Sequence, residues 1–250
     1  MSRNFELLQQ VGKEQEIFQA AVAPVRELEE PVDFSVVPVP VDAVGVEEIT
    51  GLVQRLFLLA GKESPRTVVF AGTESGNGCT WMCARAGESL ASQTSASVCL
   101  VDTNLRSPAL HEQLGVPNHY GLSDALLRAE PVSGFVTSLS RPNFAMLSSG
   151  SSPEKALSLL SSDRMRARLT ELRTIFDYVL IDASAMNSAK EAISLGTASD
   201  GLVLVLKANS SRRETARNAV QELQTAKVRI LGAVLNQRTF PIPEVIYSRL

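Results

Sequence analysis

Thr67-Val68-Val69-Phe70-Ala71, then Gly72-Thr73-Glu74-Ser75-Gly76-Asn77-Gly78-Cys79-Thr80, then a helix-forming run from Trp81: this stretch decides the fold. An apolar, β-branched run passes through a glycine-rich turn into a helix. Glycines let the backbone bend until several N–H groups converge on an anion, and the following helix adds its positive end. Thr80 has the spacing of the hydroxyl that binds magnesium in a phosphate-binding loop. The position before it, where such a loop carries a lysine, holds Cys79. A merely structural turn between strand and helix is the alternative, and the placement of Thr80 favours the nucleotide-type loop.

Outward from the loop, short apolar runs alternate with helical segments. Strands are expected at 97–101, 178–181, 201–206 and 230–235, with a shorter one at 144–147. Their nearly continuous apolar character suits strands buried on both faces of a parallel sheet. Helices are expected at 81–91, 153–175, 189–195 and 212–226. This alternation predicts an α/β three-layer sandwich with a mostly parallel sheet. Before the loop, residues 46–60 form an amphipathic pattern with Ile49, Leu52, Val53, Leu56 and Phe57 on one side. Further upstream, residues 3–19 carry a partial helical stripe, and Pro24, Pro31, Pro38 and Pro40 mark 23–44 as an extended linker. The expected organisation is a helical arm and linker over 1–45, then one α/β domain over 46–250. The segment 238–250 reads as a proline-delimited turn and short helix that packs or docks, with Tyr247 a candidate phosphate acceptor.

A chain of 250 residues can bury a large single core. With 44% hydrophobic and 20% charged residues it has the composition of a soluble globular protein. Its net charge of -3 gives no global attraction to nucleic acid or anionic lipid. No apolar run reaches the roughly 20 residues that cross a bilayer, and residues 1–6 lack a secretory apolar core, so a cytoplasmic location is expected. The cysteines are Cys79, Cys83 and Cys99, and the histidines are His111 and His119. A zinc site needs about four ligands, so the cysteines are expected as small buried residues where a helix packs on the sheet. The other reading of Cys79 is a reactive thiol with its pKa lowered by the helix N-terminus.

Ligands of such sheets bind beyond the carboxyl ends of the strands. Asp102 ends the run Val98-Cys99-Leu100-Val101-Asp102, and Asp182 ends Tyr178-Val179-Leu180-Ile181-Asp182. Alone, each would read as a helix cap or turn residue. Together, beside the glycine loop, they suggest a magnesium–phosphate site. The ordered set resembles the bacterial tyrosine kinases of the CpsD/CapB type, relatives of the MinD/ParA group of P-loop ATPases. Asp102, Asn104, Arg106 and Pro108 stand at the positions of that family's second aspartate motif, and Asp182 matches its Walker B aspartate. Gly121-Leu122-Ser123-Asp124-Ala125-Leu126 resembles the short helix that follows, Ser148 to Glu154 the glycine–proline loop, and Gly232-Ala233-Val234-Leu235-Asn236 the last strand. The likeness covers roughly 46–250.

The resemblance implies ATP or ADP with Mg²⁺. Gly76, Asn77, Gly78, Cys79 and Thr80 would lie against the phosphates, Thr80, Asp102 and Asp182 at the metal, and Asn236 near the adenine. It implies a tyrosine autokinase that works with a membrane polysaccharide co-polymerase in capsule or exopolysaccharide export. It also implies a homo-oligomeric ring formed through a Glu-x-x-Arg pattern, whose place is taken here by 46–55 without the arginine spacing. The chain departs from the family pattern at Cys79, at Asn104 in place of an aspartate, at Arg85 in place of an asparagine, and in closing with a lone Tyr247. Losing a charged hydrogen bond of about 1.5–3 kcal/mol weakens binding roughly tenfold to a hundredfold. Losing a donor to transition-state charge costs about 10²–10³ in rate. The leading expectation is therefore a cytoplasmic autokinase-like regulator with weakened or absent phosphoryl transfer, bound to an exopolysaccharide-assembly protein and not to nucleic acid. A second is an active kinase or ATPase that borrows a cation, with Arg106 better directed than Arg85. A third is a MinD/ParA-like positioning ATPase, disfavoured by the missing terminal basic amphipathic helix.

Overall fold

Seven strands form one sheet in the spatial order β3-β4-β2-β5-β1-β6-β7. They are β1 Thr67–Gly72, β2 Val98–Asp102, β3 Thr137–Ser138, β4 Phe144–Leu147, β5 Tyr178–Ala183, β6 Gly201–Lys207 and β7 Ile230–Asn236. Every neighbouring pair runs parallel except β3 with β4. The computed structural model describes residues 43–59, 61, 64–151, 153–188 and 190–238. The arm and linker expected before residue 43, and the tail 239–250 with Tyr247, lie outside them. Among the described residues no helix is long and apolar enough to cross a membrane.

Helices cover both faces of the sheet because alternate strand residues point to opposite sides. Val68, Phe70, Leu100 and Leu180 meet α1 (Ala43–Val53), the turn Gln54–Leu58 that continues it, and α2 (Cys79–Gln93) through Val53, Phe57, Met82 and Leu90. On the other face Val69, Val101 and Ile181 meet α4 (Leu122–Leu127), α6 (Asp163–Ile175), α7 (Glu191–Thr197) and α8 (Arg213–Thr225). Leu126, Leu169, Leu172, Leu195 and Leu223 carry that contact and are essentially unexposed. Each side chain so buried contributes about 1.5–3 kcal/mol. The three-layer α/β sandwich expected from the sequence is the observed architecture.

Some boundaries differ from expectation. The helix expected over 46–60 starts at Ala43 and changes winding after Val53 into a π turn, Gln54–Leu58. Leu59 N–H donates to Gln54 O at 2.8 Å, which keeps Phe57 inside, edge-on to Tyr178, while Leu59 points to solvent. The single helix expected over 153–175 is three pieces: α5 Pro153–Ala156, a 3₁₀ turn Leu157–Ser161, and α6. Ser162 is extended and its hydroxyl donates to Leu159 O at 2.6 Å, so Ser161-Ser162-Asp163 ends one helix and starts the next. Three short elements went unanticipated: β3, the 3₁₀ turn Val132–Phe135, and α3 (Leu110–Leu114), the last closed by Gly115 at φ 64.

Candidate functional site

The glycine loop leaves the carboxyl end of β1, between β5 and β6. Gly76 and Gly78 have φ of 82 and 76, a region costly for any residue with a Cβ. Those two turns bring the chain into α2, whose first intrahelical bond among its N-terminal groups runs from Met82 N–H to Gly78 O at 3.0 Å. The N–H groups before Met82 therefore have no acceptor within the helix and face the loop's concave side. The loop is tied from three strands. Asn77 is buried, and its amide donates to Thr73 Oγ1 at 3.0 Å and to Val205 O at 2.9 Å. Asn236, at the end of β7, donates to Asn77 O at 3.0 Å and accepts from Gln237 N–H. Beyond β5, Met186 N–H donates to Gly72 O at 2.9 Å and Asn187 N–H to Thr73 O at 3.2 Å. Asn236 is thus a tether of the loop as well as a residue at its rim.

Asp102 and Asp182 are register partners on adjacent strands, so their backbones lie about 4.8 Å apart. Neither is exposed. Their surroundings differ. Asp102 accepts from Asn104 N–H at 3.0 Å and Leu110 N–H at 3.2 Å. Neither carboxylate oxygen of Asp182 has a partner at hydrogen-bonding geometry. Burial, reinforced by the charge of Asp182, pushes Asp102 up to about 8, against the pull of backbone N–H groups. Burial pushes Asp182 up to about 7, while the neighbouring Thr80 hydroxyl and Cys79 thiol draw it down. Thr80, Cys79 and Asp182 therefore share the floor of the loop.

The thiol reading of Cys79 is corrected by this geometry. Burial, then the charge of Asp182 and the nearness of Cys83, push the Cys79 thiol well above its ordinary value. Cys83 is pushed up in the same way. The helix N-terminus is outweighed, and Cys79 stays a neutral thiol. The candidate replacement cations are engaged elsewhere: Arg106 Nη2 pairs with Glu191 Oε1 at 2.9 Å, and Arg85 Nη1 with Glu88 Oε2 at 2.5 Å. Among the described residues no lysine or arginine forms an ion pair with Asp102 or Asp182. Asn104 accepts a bond from Ser184 Oγ at 2.8 Å, joining the loops after β2 and β5. That link and the inward amide of Asn77 were not read from the sequence, because polar loop residues carry no periodic signal.

The donors present fit a polyphosphate with a divalent ion: a glycine turn opening a 15-residue helix, the Thr80 hydroxyl, and an orphaned buried carboxylate beside it. What the site lacks is the fixed cation.

No family model matches the chain. It is similar to the tyrosine-protein kinase YwqD of Bacillus subtilis (strain 168), 31% identical over 144 residues, which are 58% of this chain and 61% of that protein. It is also similar to the putative tyrosine-protein kinase CapB of Staphylococcus aureus, 22% identical over 191 residues, 76% of this chain and 83% of that protein. The chain thus spans less than two thirds of the length of YwqD. The solved structure of the chimerical protein CapA2B2 superposes with a TM-score of 0.72 at 20% identity, over 91% of this chain and 99% of that one. The chain therefore has the P-loop NTPase fold and resembles, in sequence and in architecture, the bacterial tyrosine kinases of the YwqD and CapB kind.

Proposed function

We propose that this chain is an autokinase-like regulator of capsule or exopolysaccharide assembly that binds ATP or ADP with Mg²⁺ and transfers phosphoryl groups weakly or not at all. The observation that carries the reading is Asp182, buried and unpartnered beside Thr80, in a loop whose lysine position holds a neutral thiol. The amides of 76–80 and the start of α2 bind the phosphates. Thr80, Asp182 and, on the adjoining strand, Asp102 would hold the metal. When bound, the metal nucleotide supplies the phosphoryl group and a divalent charge on its oxygens. Asn77 and Asn236 keep the loop in its binding shape before the ligand arrives. Without a lysine the developing charge on the transferred group lacks one donor, a loss worth about 10²–10³ in rate. Ground-state binding loses less, so occupancy outlasts turnover. The proposed partner is the cytoplasmic part of a membrane polysaccharide co-polymerase, supported by the likeness to CapB and to the CapA2B2 chimera.

Calorimetric titration of Mg-ATP into the wild type and Cys79→Lys tests this, with phosphotyrosine followed on the same samples. The wild type is expected to bind weakly without forming phosphotyrosine, and the variant to bind about tenfold to a hundredfold tighter. Tight wild-type binding with phosphotyrosine appearing would overturn the weakened-enzyme reading.

A further inference from the structure

We propose that the site takes a monovalent cation, of the potassium or ammonium kind, beside Asp182, in place of the charge that a loop lysine would supply. This rests on the nucleotide reading above and extends it to a second, exchangeable ligand of the same site.

Asp182 is fully buried and both its oxygens lack a partner, although Asp102 across the strand pair has two backbone donors. The divalent ion of the nucleotide would take one of those oxygens, and the other, buried and unpartnered, is costly unless a second cation or donor meets it. Its neighbours Thr80 and Cys79 show that it faces the loop floor, and Cys79 stands at the position a phosphate-binding loop gives to lysine. Cysteine ends at its γ atom, whereas lysine carries its charge on the ζ nitrogen. The substitution therefore removes both the charge and the volume. The two candidate arginines do not replace it, since Arg106 is held by Glu191 and Arg85 by Glu88.

The chemistry of the donors selects the ion. Among the described residues no group of three or more His, Cys, Asp or Glu side chains could hold a metal ion unaided. A cation beside Asp182 must then take most of its ligands from the phosphate oxygens of the nucleotide. Magnesium demands near-octahedral oxygen coordination and gives up water reluctantly. A singly charged ion replaces lysine charge for charge. Ammonium also reproduces its N–H donors, and potassium is a singly charged ion without them. Because the cation needs the phosphates and the phosphates need the charge, each ligand tightens the other by the same factor.

The test is calorimetric titration of Mg-ATP into the full chain in choline, sodium, potassium or ammonium chloride at equal ionic strength, which holds screening constant. Wild-type affinity is expected to rise about tenfold in potassium or ammonium over choline, the lower end for a charged contact. Cys79→Lys is expected to bind tightly and equally in all four salts. Cys79→Met, which fills the space without charge, is expected to bind weakly and lose the response. Equal wild-type affinity in every salt would overturn the inference, as would a salt response that survives in Cys79→Met. If the wild type binds weakly and equally in all four salts and Cys79→Lys binds tightly, the nucleotide reading stands and the cation falls; if Cys79→Lys binds and the wild type binds in no salt, the cation falls and so does nucleotide binding by the wild type. Absence of binding by both proteins in every salt overturns both.

Discussion

At the scale of single residues, the site turns on which neighbour dominates Cys79. A helix N-terminus alone would favour its thiolate, yet the adjoining Asp182 and burial act the other way and prevail. The thiol is therefore expected to react with iodoacetamide at pH 8 at least about tenfold more slowly than a free cysteine, because the thiolate is the nucleophile. Labelling followed by peptide mass spectrometry measures this, and modification at the rate of a free thiol would contradict it. The residues that set up this contest were legible by spacing: Gly76, Gly78, Thr80, Asp102 and Asp182 sit one to a strand end or loop position, and the fold gathers them. The inequality between the two aspartates was not legible. Asp102 finds Leu110 N–H only because the chain after β2 curls back, and no local pattern announces a bond across eight positions. The amide of Asn77 reaches Val205, 128 residues away, for the same reason.

At the scale of elements, legibility followed burial. Strands such as β1 and β2, buried at every position, are apolar apart from Thr67 and Asp102 at their ends and so were readable. β3 has two half-buried residues and nothing for periodicity to grip. The break inside 153–175 was written in Ser161-Ser162-Asp163, but the apolar residues on either side mask a cap that only backbone geometry reveals. The start of α4 shows a tighter constraint. Leu122 N–H and Ser123 N–H donate to Ser148 O and Ser149 O, and a Cβ on Gly121 would lie 2.1 Å from Ser148 O. Asp124 fastens the same junction by accepting from Gly121 N–H at 3.1 Å. Gly121→Ala must push helix and loop apart and is expected to cost about 1–3 kcal/mol in urea unfolding, as overpacking does. Gly134→Ala, with open space at its Cβ, is the control and should change stability little. Equal effects of the two changes would remove the close-approach argument.

At the scale of the whole molecule, the parallel sheet carries two carboxylates from β2 and β5 to one dry edge, and the two cores hold them there. Folding raises both pKa values above the unfolded 3.8, to about 8 for Asp102 and about 7 for Asp182. The folded state then binds more protons than the unfolded one between those limits. The associated stability is full below about pH 4 and is lost as pH rises through about 7 and 8, at up to about 1.4 kcal/mol per pH unit for each group. Glu88, raised chiefly by burial, acts in the same direction. Asp177 and Asp200 are lowered, so their contribution is present above the unfolded value and lost only in acid, outside this window. Cys79 and Cys83 are pushed so far up that they stay protonated across it. Urea unfolding without nucleotide or magnesium is therefore expected to show stability falling from pH 5 to pH 9. Asp182→Asn removes one of the two ionising groups and the charge that raises the other, so its curve should be flatter over the same range. A wild-type stability that is level or rising from pH 5 to pH 9, or a variant curve as steep as the wild type, would show that the two carboxylates do not carry this cost.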